Sequence, residues 1–349
     1  MAFDPEDFNS SGPRNISTAL TDWGNVHHRI TIAASLVQGV YAMERDRREG
    51  RTGLQALAPP WWESFNFQLL TDLIDKSDSS IYGAIYKFKL PTDTFGEGHP
   101  PRCVVALRGT VIEPETMYQD FKIDLKILLK QKLTKSFRAE VTLKVVEILV
   151  DNINAGANTV WLAGHSLGSA IALTVGRDMA KIGIPLKTYL FNPPFVSIPL
   201  EHIKLSRRVR SGIRIAWSVA KAGASKVVMD DEQRTQVENK FTQLSSWAPY
   251  LCVNEDDPIC SEYIGYFKNR DSMARWGPRG ARIAKTATKV STRSLAKYAM
   301  GSRTAEPFHL LPTAYLVMNK SGSGNFKEAH GVAQWWTQCF SCQPELHRY

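Results

Sequence analysis

The stretch that most constrains this chain is Thr159-Val-Trp-Leu-Ala-Gly-His-Ser-Leu-Gly-Ser-Ala-Ile-Ala-Leu-Thr174. Val160, Trp161, Leu162 and Ala163 form an apolar run of strand length, and Ala170, Ile171, Leu173 and Val175 follow at helical spacing. Gly164-His165-Ser166-Leu167-Gly168 lies between them, so a G-x-S-x-G pattern falls where a strand turns into a helix. A turn that sharp leaves no room for side chains at Gly164 and Gly168. It leaves Ser166 at the apex with its hydroxyl exposed. It also sets the Leu167 N–H at a helix N-terminus, where free amides favour a developing anion. The bland alternative is a glycine-lined turn with a structural serine.

Around this stretch the pattern alternates. Helical spacing runs from about Asn25 to Arg48, with Ile30, Ala33, Ala34, Val37, Val40 and Tyr41 on one stripe. Pro59-Pro-Trp-Trp62 breaks the chain, and a second helix is expected from there to about Ile74, the two packing on the core as a helical flap. Ser80–Phe88 and Cys103–Thr110, the latter ending in Arg-Gly-Thr, read as strands, and Phe137–Ile153 as an amphipathic helix leading into the elbow strand. Further strands are expected at Lys187–Phe191, Pro249–Val253 and Thr313–Met318. Strands alternating with helices imply an α/β fold with a largely parallel sheet, and ligands then belong at the carboxyl ends of the strands. The expected organisation is a poorly ordered tail over residues 1–24 and one domain over 25–345. Insertions interrupt that domain at about 200–246, helical and partly basic, and at 268–303.

Charge is unevenly placed. The net charge is +9, and Lys268–Arg303 holds ten Lys/Arg against the single acid Asp271, which leaves the rest of the chain balanced. No nucleic-acid-binding module surrounds this segment, so nucleic acid is not an expected partner. A solvated insertion and a segment lying on anionic lipid both fit it. The first eight residues are acidic and carry no apolar leader core. No apolar run reaches the roughly 18 residues that span a bilayer. Five cysteines, odd in number and scattered, fit a reducing compartment. Cys339-x-x-Cys342 reads as two ordinary thiols rather than a metal or redox site. The expectation is a cytoplasmic chain open to peripheral membrane contact, with no metal and no cofactor.

A serine hydroxyl needs an imidazole to take its proton and a carboxylate to orient that imidazole. In this kind of sheet the partners follow in the order Ser, acid, His, each on a loop after a strand. The acid belongs in Asn254-Glu-Asp-Asp-Pro258. There Asp257 is favoured, because the residue before proline is held extended, while Asp256 and then Glu255 compete. Among the later histidines, His330 follows the last expected strand, His309 precedes it, and His347 sits almost at the end of the chain. His330 is therefore the favoured base and His309 the rival. A second oxyanion donor is expected from Thr110, after the strand that ends in Arg108-Gly109, to act with the Leu167 N–H.

Leu107-Arg-Gly-Thr110, Gly164-His-Ser-Leu-Gly168, Asn254-Glu-Asp-Asp-Pro258 and Ala329-His330 together resemble the fungal-type class 3 lipases. The nearest likeness is to a plant branch whose members are often labelled GDSL esterase/lipase, although no Gly-Asp-Ser-Leu occurs in this chain. The resemblance runs over about residues 25–345. It implies an α/β-hydrolase fold with helices on both faces of the sheet, acting on carboxylic esters of lipids through an acyl-enzyme. It implies Ser166 as nucleophile, Thr110 as oxyanion residue, Asp257 as acid, His330 as the late histidine and His309 as the earlier one. Two departures stand out: Leu107 replaces the aromatic residue often found before Arg-Gly, and the long basic stretch separates acid from histidine. The alternative reading is a non-catalytic lipid-binding or signalling protein that keeps the hydrolase shell. The position of the histidine relative to Ser166 separates the two.

Overall fold

The computed structural model describes residues 6–14, 16, 21–90, 98–111, 137–153, 159–195, 207–303, 310–320, 322, 325–337 and 343–348. Its centre is one mixed sheet whose strands lie side by side in chain order. They are β1 (Phe67–Ile74), β2 (Ile81–Phe88), β3 (Cys103–Leu107), β4 (Val160–His165), β5 (Lys187–Phe191), β6 (Tyr250–Asn254), β7 (Ala314–Asn319) and β8 (Glu345–His347). From β3 to β7 every neighbour is parallel, while β1, β2 and β8 are antiparallel to theirs. The parallel strands are covered on both faces, which is why they read as unbroken apolar runs rather than alternating ones.

The helices are α1 (Phe8–Ser11), α2 (Val26–Glu49), α3 (Pro60–Glu63), α4 (Phe137–Ile153) and α5 (Leu167–Lys181). They continue with α6 (Arg207–Val228), α7 (Asp231–Gln243), α8 (Glu262–Ala274), α9 (Pro278–Lys289), α10 (Thr292–Ala299) and α11 (Phe326–His330). Strand side chains alternate between the two faces. Val160 and Leu162 of β4 pack with the α4–α5 face, and Trp161 and Ala163 pack with the α2 face. Leu190, Leu251 and Leu316 join the first layer, and Tyr189, Tyr250 and Val317 the second. The protein is thus a two-faced α/β sheet with the α/β-hydrolase architecture. No helix of the described residues is long and apolar enough to cross a membrane.

Three parts of the N-terminal region differ from the sequence reading. Helix α2 is no flap: Ile30, Ile32, Leu36, Val37 and Val40 are fully buried, as are the polar Ser35 and Glu44, so it forms one core layer. The second expected helix stops after Glu63. Asn66 turns the backbone to a φ of 60°, and Phe67–Ile74 continues as the edge strand β1 paired with β2. Gln68, Leu69, Leu70 and Thr71 of that strand are exposed, so burial did not impose the alternation that marks a strand. Within the stretch expected to be a loose tail, Phe8–Ser11 form one helical turn. The Phe8 ring sits edge-on against Trp61 and Phe65, and Trp336 Nε1 donates to the Ser11 carbonyl. The basic segment 268–303 is helical, spanning the end of α8, then α9 and α10.

Candidate active site

The sheet register brings the ends of five strands level. Leu107 pairs with Gly164, His165 with Phe191, Phe191 with Cys252, and Asn254 with Asn319. The residues that follow, Arg108-Gly-Thr110, Ser166, Asn192 and Asp257, therefore emerge at one edge.

Ser166 stands between β4 and α5 with φ 53° and ψ −119°, a conformation that non-glycine residues rarely adopt. Its N–H donates to the Phe191 carbonyl at 2.9 Å, which pins the apex to β5. The flanking glycines are required by contact. A Cβ on Gly164 would lie 2.5 Å from the Gly168 carbonyl oxygen, and one on Gly168 would lie 2.4 Å from that of Leu107. Leu167 is the first residue of α5.

Ser166 Oγ lies 3.0 Å from His330 Nε2, and His330 Nδ1 lies 2.8 Å from Asp257 Oδ2. All three residues are buried, so Ser166 is covered rather than exposed at the apex, the expectation from the sequence. Glu255 and Asp256, the competing acids, are exposed, and the Asp256 N–H donates to Asn254 Oδ1. His347 is bound to Asp271 at 2.6 Å and stacks on Phe267, away from this group. His309, Cys339 and Cys342 lie outside the described residues. Of the expected oxyanion donors, Thr110 is exposed beside the elbow. The adjoining Gly109 is so close to it that a Cβ there would meet Ser166 Cβ at 2.8 Å.

Burial alone would raise the Asp257 carboxyl. The His330 imidazole, the Asn192 amide at 2.7 Å and the Ile259 N–H at 2.9 Å outweigh it and hold the group below the ordinary carboxylate value. The Cys260 thiol also donates to Asp257 Oδ2, at 3.2 Å. Asn192 is itself a junction. At φ 48° it sends its amide to Asp257 and to the Ala329 carbonyl, and its Oδ1 accepts from Trp335 Nε1. Gln334 Nε2 donates to the carbonyls of Ala329 and Gly331, so both sides of His330 are tied down.

A second chain of hydrogen bonds runs from the Arg108–Thr110 loop to His330. The His330 carbonyl can only accept, so His165 Nε2, 2.7 Å away, carries the proton. Burial, with His330 nearby, pushes His165 down to about 3, so its ring is neutral and Nδ1 is a bare acceptor. The Tyr41 hydroxyl, at 2.8 Å, must then donate to Nδ1 and accept from the Gly109 N–H at 2.7 Å. Arg108 braces the same loop, donating to the Ile81 and Gly109 carbonyls, with Glu44 of α2 at 3.8 Å. The Gly109 amide is thereby committed away from Ser166. Sequence reasoning missed Tyr41, His165 and Asn192 as parts of this assembly. The signal for Asn192 was its place before Pro193-Pro194 at a strand end; Tyr41 carried none, since it fell on an apolar helical stripe.

Such an arrangement defines a class: an α/β-hydrolase sheet with a strained serine at its nucleophile-elbow turn. Comparison with known proteins narrows it. An Arabidopsis thaliana protein named GDSL esterase/lipase is 38% identical, over 100% of this chain and 99% of its own length. The chain belongs to that esterase/lipase family, a family of carboxylic-ester hydrolases. No family model matches the chain. A crystal structure of a lipase from Rhizopus microsporus var. chinensis aligns over 53% of this chain and 63% of its own. It is 17% identical with a TM-score of 0.27, and that likeness carries no part of the functional reading.

Proposed function

We propose that the chain is a serine lipase or esterase that cleaves carboxylic esters of lipids through an acyl-enzyme. The observation that carries this reading is the hydrogen-bonded line Ser166–His330–Asp257, at 3.0 and 2.8 Å. His330 Nε2 takes the hydroxyl proton as Ser166 Oγ attacks the ester carbonyl carbon. Asp257 holds the ring by Nδ1 and stabilises the imidazolium. The carbonyl oxygen becomes an oxyanion, and the N–H groups of Leu167 and Thr110 are the donors proposed for it. His330 then returns the proton to the departing alkoxide, leaving an acyl group on Ser166. Water, deprotonated by the same nitrogen, releases the acid and restores the serine. The lipid-binding alternative gains no support from this geometry, because a binding shell has no need of a strained serine within hydrogen-bond reach of an imidazole.

The same reading assigns one catalytic domain to residues 25–345, with insertions at about 200–246 and 268–303. The buried thiols of Cys103, Cys252 and Cys260, none of them in a disulfide, favour a cytoplasmic setting. Contact with anionic membrane is proposed for Lys268–Arg303, where Arg275, Arg279, Arg282, Lys285 and Lys297 are exposed. The purified protein should hydrolyse esters in a panel of increasing acyl length. Ser166→Ala should abolish turnover. His330→Ala should lower kcat by about 10³-fold or more, and His309→Ala by far less. Full activity in the His330 variant would remove the proposed base.

A further inference from the structure

Helix α6 is built inside out. Arg214, Ser218, Lys221 and Ser225 recur at helical spacing on one side, and that side faces the protein. Arg214 Nη2 meets Glu262 of α8 at 2.6 Å. Its guanidinium lies so close over Gly265 that a Cβ there would sit 2.3 Å from Arg214 Cζ. Ser218 Oγ accepts from Asn269 Nδ2 at 3.1 Å. Lys221 donates to the Ala287 and Val290 carbonyls, where α9 ends, at 3.0 and 3.3 Å. Arg214, Ser218 and Lys221 thus hold α6 on α8 and α9, while Ser225 Oγ donates to the Ala222 carbonyl of its own helix. The adjoining side carries Ile213, Ala216, Trp217, Ala220, Gly223 and Val227, at the same spacing and exposed to solvent, with Ile213 and Trp217 at the border of the cleft that Arg214, Ser218 and Lys221 also line. Ile213 is 38%, Trp217 45% and Val227 87% exposed, and neighbouring Val219 is 47% exposed. Rotating the helix to bury this stripe would break the Arg214–Glu262 pair and the Lys221 bonds to α9, so the apolar face is held outward.

Charge says what covers it. Helices α6, α9 and α10 contain no acidic residue, and α6 alone carries six Arg/Lys. Arg279, Arg282, Lys285 and Lys297 are exposed on the helices packed beside α6, with Trp276 and Met300 exposed at their ends. An apolar stripe flanked by these cations, with the acids Asp230, Asp231 and Glu232 exposed just past the C-terminal end of α6, matches an interfacial helix on anionic lipid.

We infer that the Ile213–Trp217–Val227 face of α6 docks the protein on an anionic lipid surface. The stripe enters the acyl boundary while α9 and α10 contact the headgroups. This deepens the membrane contact proposed above and rests on it; it does not require that Ser166 be the nucleophile.

The test uses the full chain and sedimentation with vesicles of phosphatidylcholine, with and without phosphatidylserine, at 0.1 M and 1 M NaCl. Charge attraction fades at 1 M, where the Debye length is about 3 Å. Apolar insertion does not. Wild type should bind the anionic vesicles strongly and keep a salt-resistant remainder. A triple variant, Ile213→Ser, Trp217→Ser and Val227→Ser, should bind about tenfold less and lose that remainder. An Arg279→Gln, Arg282→Gln, Lys285→Gln variant should lose mainly the salt-sensitive part. Both should keep wild-type circular dichroism and unchanged turnover of a short soluble ester, since all six residues are exposed and far from Ser166 in sequence and element. If wild type turns over no ester at all, the hydrolase reading fails while the vesicle result stands by itself. Triple-serine protein that binds as wild type does would overturn the inference. So would a wild-type dimer that the same substitutions dissociate, which would make the stripe a protein interface.

Discussion

Tyr41 is 125 residues from Ser166 in the chain, yet its hydroxyl is shared by the Gly109 N–H, in the loop proposed to hold the oxyanion, and the His165 imidazole. Tyr41→Phe keeps the ring packing but leaves the Gly109 N–H and His165 Nδ1 without their partner. Each buried group so stranded costs about 1–3 kcal/mol. The loss should appear mostly in kcat, by about 10- to 100-fold, with KM little changed, because the loop matters most when the oxyanion forms. Steady-state kinetics on a soluble ester decide it, and an equal fall of kcat/KM through KM alone would speak for substrate binding instead. His165 carries a second prediction. Unfolded, it titrates near its ordinary value of 6.5; folded, burial holds it at about 3. Between those values the unfolded chain binds one more proton, so stability is complete above about pH 6.5 and drains away as pH falls. The slope from this residue approaches 1.4 kcal/mol per pH unit. Urea unfolding from pH 4 to 7 should therefore be flatter by about one proton in His165→Asn; an unchanged slope would mean the ring is charged inside the protein. Neither residue was legible as functional in the sequence. A tyrosine on an apolar stripe and a histidine inside the G-x-S-x-G pattern look the same whether or not they bond to each other. The positions of Ser166, Asp257 and His330 were legible, because strand ends and chain order restrict them.

Elements were read most easily where one face or both faces of the sheet dictated the pattern. The strands from β3 to β7 and helix α5 are of this kind. Strand β1 was misread as helix because it lies on the sheet edge with most of its side chains in solvent, so no period of two was imposed on it. Helix α2 was misread as a flap because a stripe of apolar residues says nothing of what covers the other side. There the neighbours are β2 to β5 and the turn at Val332–Trp335, and even its Glu44 is buried, bonded to Arg47, Arg48 and the Ile81 N–H and held at about 2. Packing between elements gives a prediction at Gly176 of α5. Helix propensity alone would make Gly176→Ala stabilising by about 1 kcal/mol. A Cβ there would lie 2.4 Å from Cζ2 of the buried Trp247, whose Nε1 is fixed on the Leu186 carbonyl. Overpacking of that order costs about 1–3 kcal/mol. The urea midpoint of Gly176→Ala should therefore fall; a rise would show that the indole yields freely.

For the whole molecule, the parallel sheet explains how residues 41, 109, 166, 192, 257 and 330 meet. Each parallel strand delivers its successor loop to the same edge, α2 crosses behind that edge, and α11 closes it with His330. The composition placed the excess positive charge in one segment. It could not reveal that α6, before that segment in the chain, would join the same surface with its apolar side outward, since only packing against α8 and α9 fixes which way a helix faces. The central claim, that Ser166 is the nucleophile of an acyl-transfer enzyme, is tested most directly by covalent trapping. The purified chain is treated with a fluorophosphonate ester and digested, and the adduct is located by mass spectrometry. The account predicts one modified residue, Ser166, with labelling lost in Ser166→Ala and slowed by orders of magnitude in His330→Ala. A phosphonylated residue elsewhere, or labelling that survives in Ser166→Ala, would contradict it.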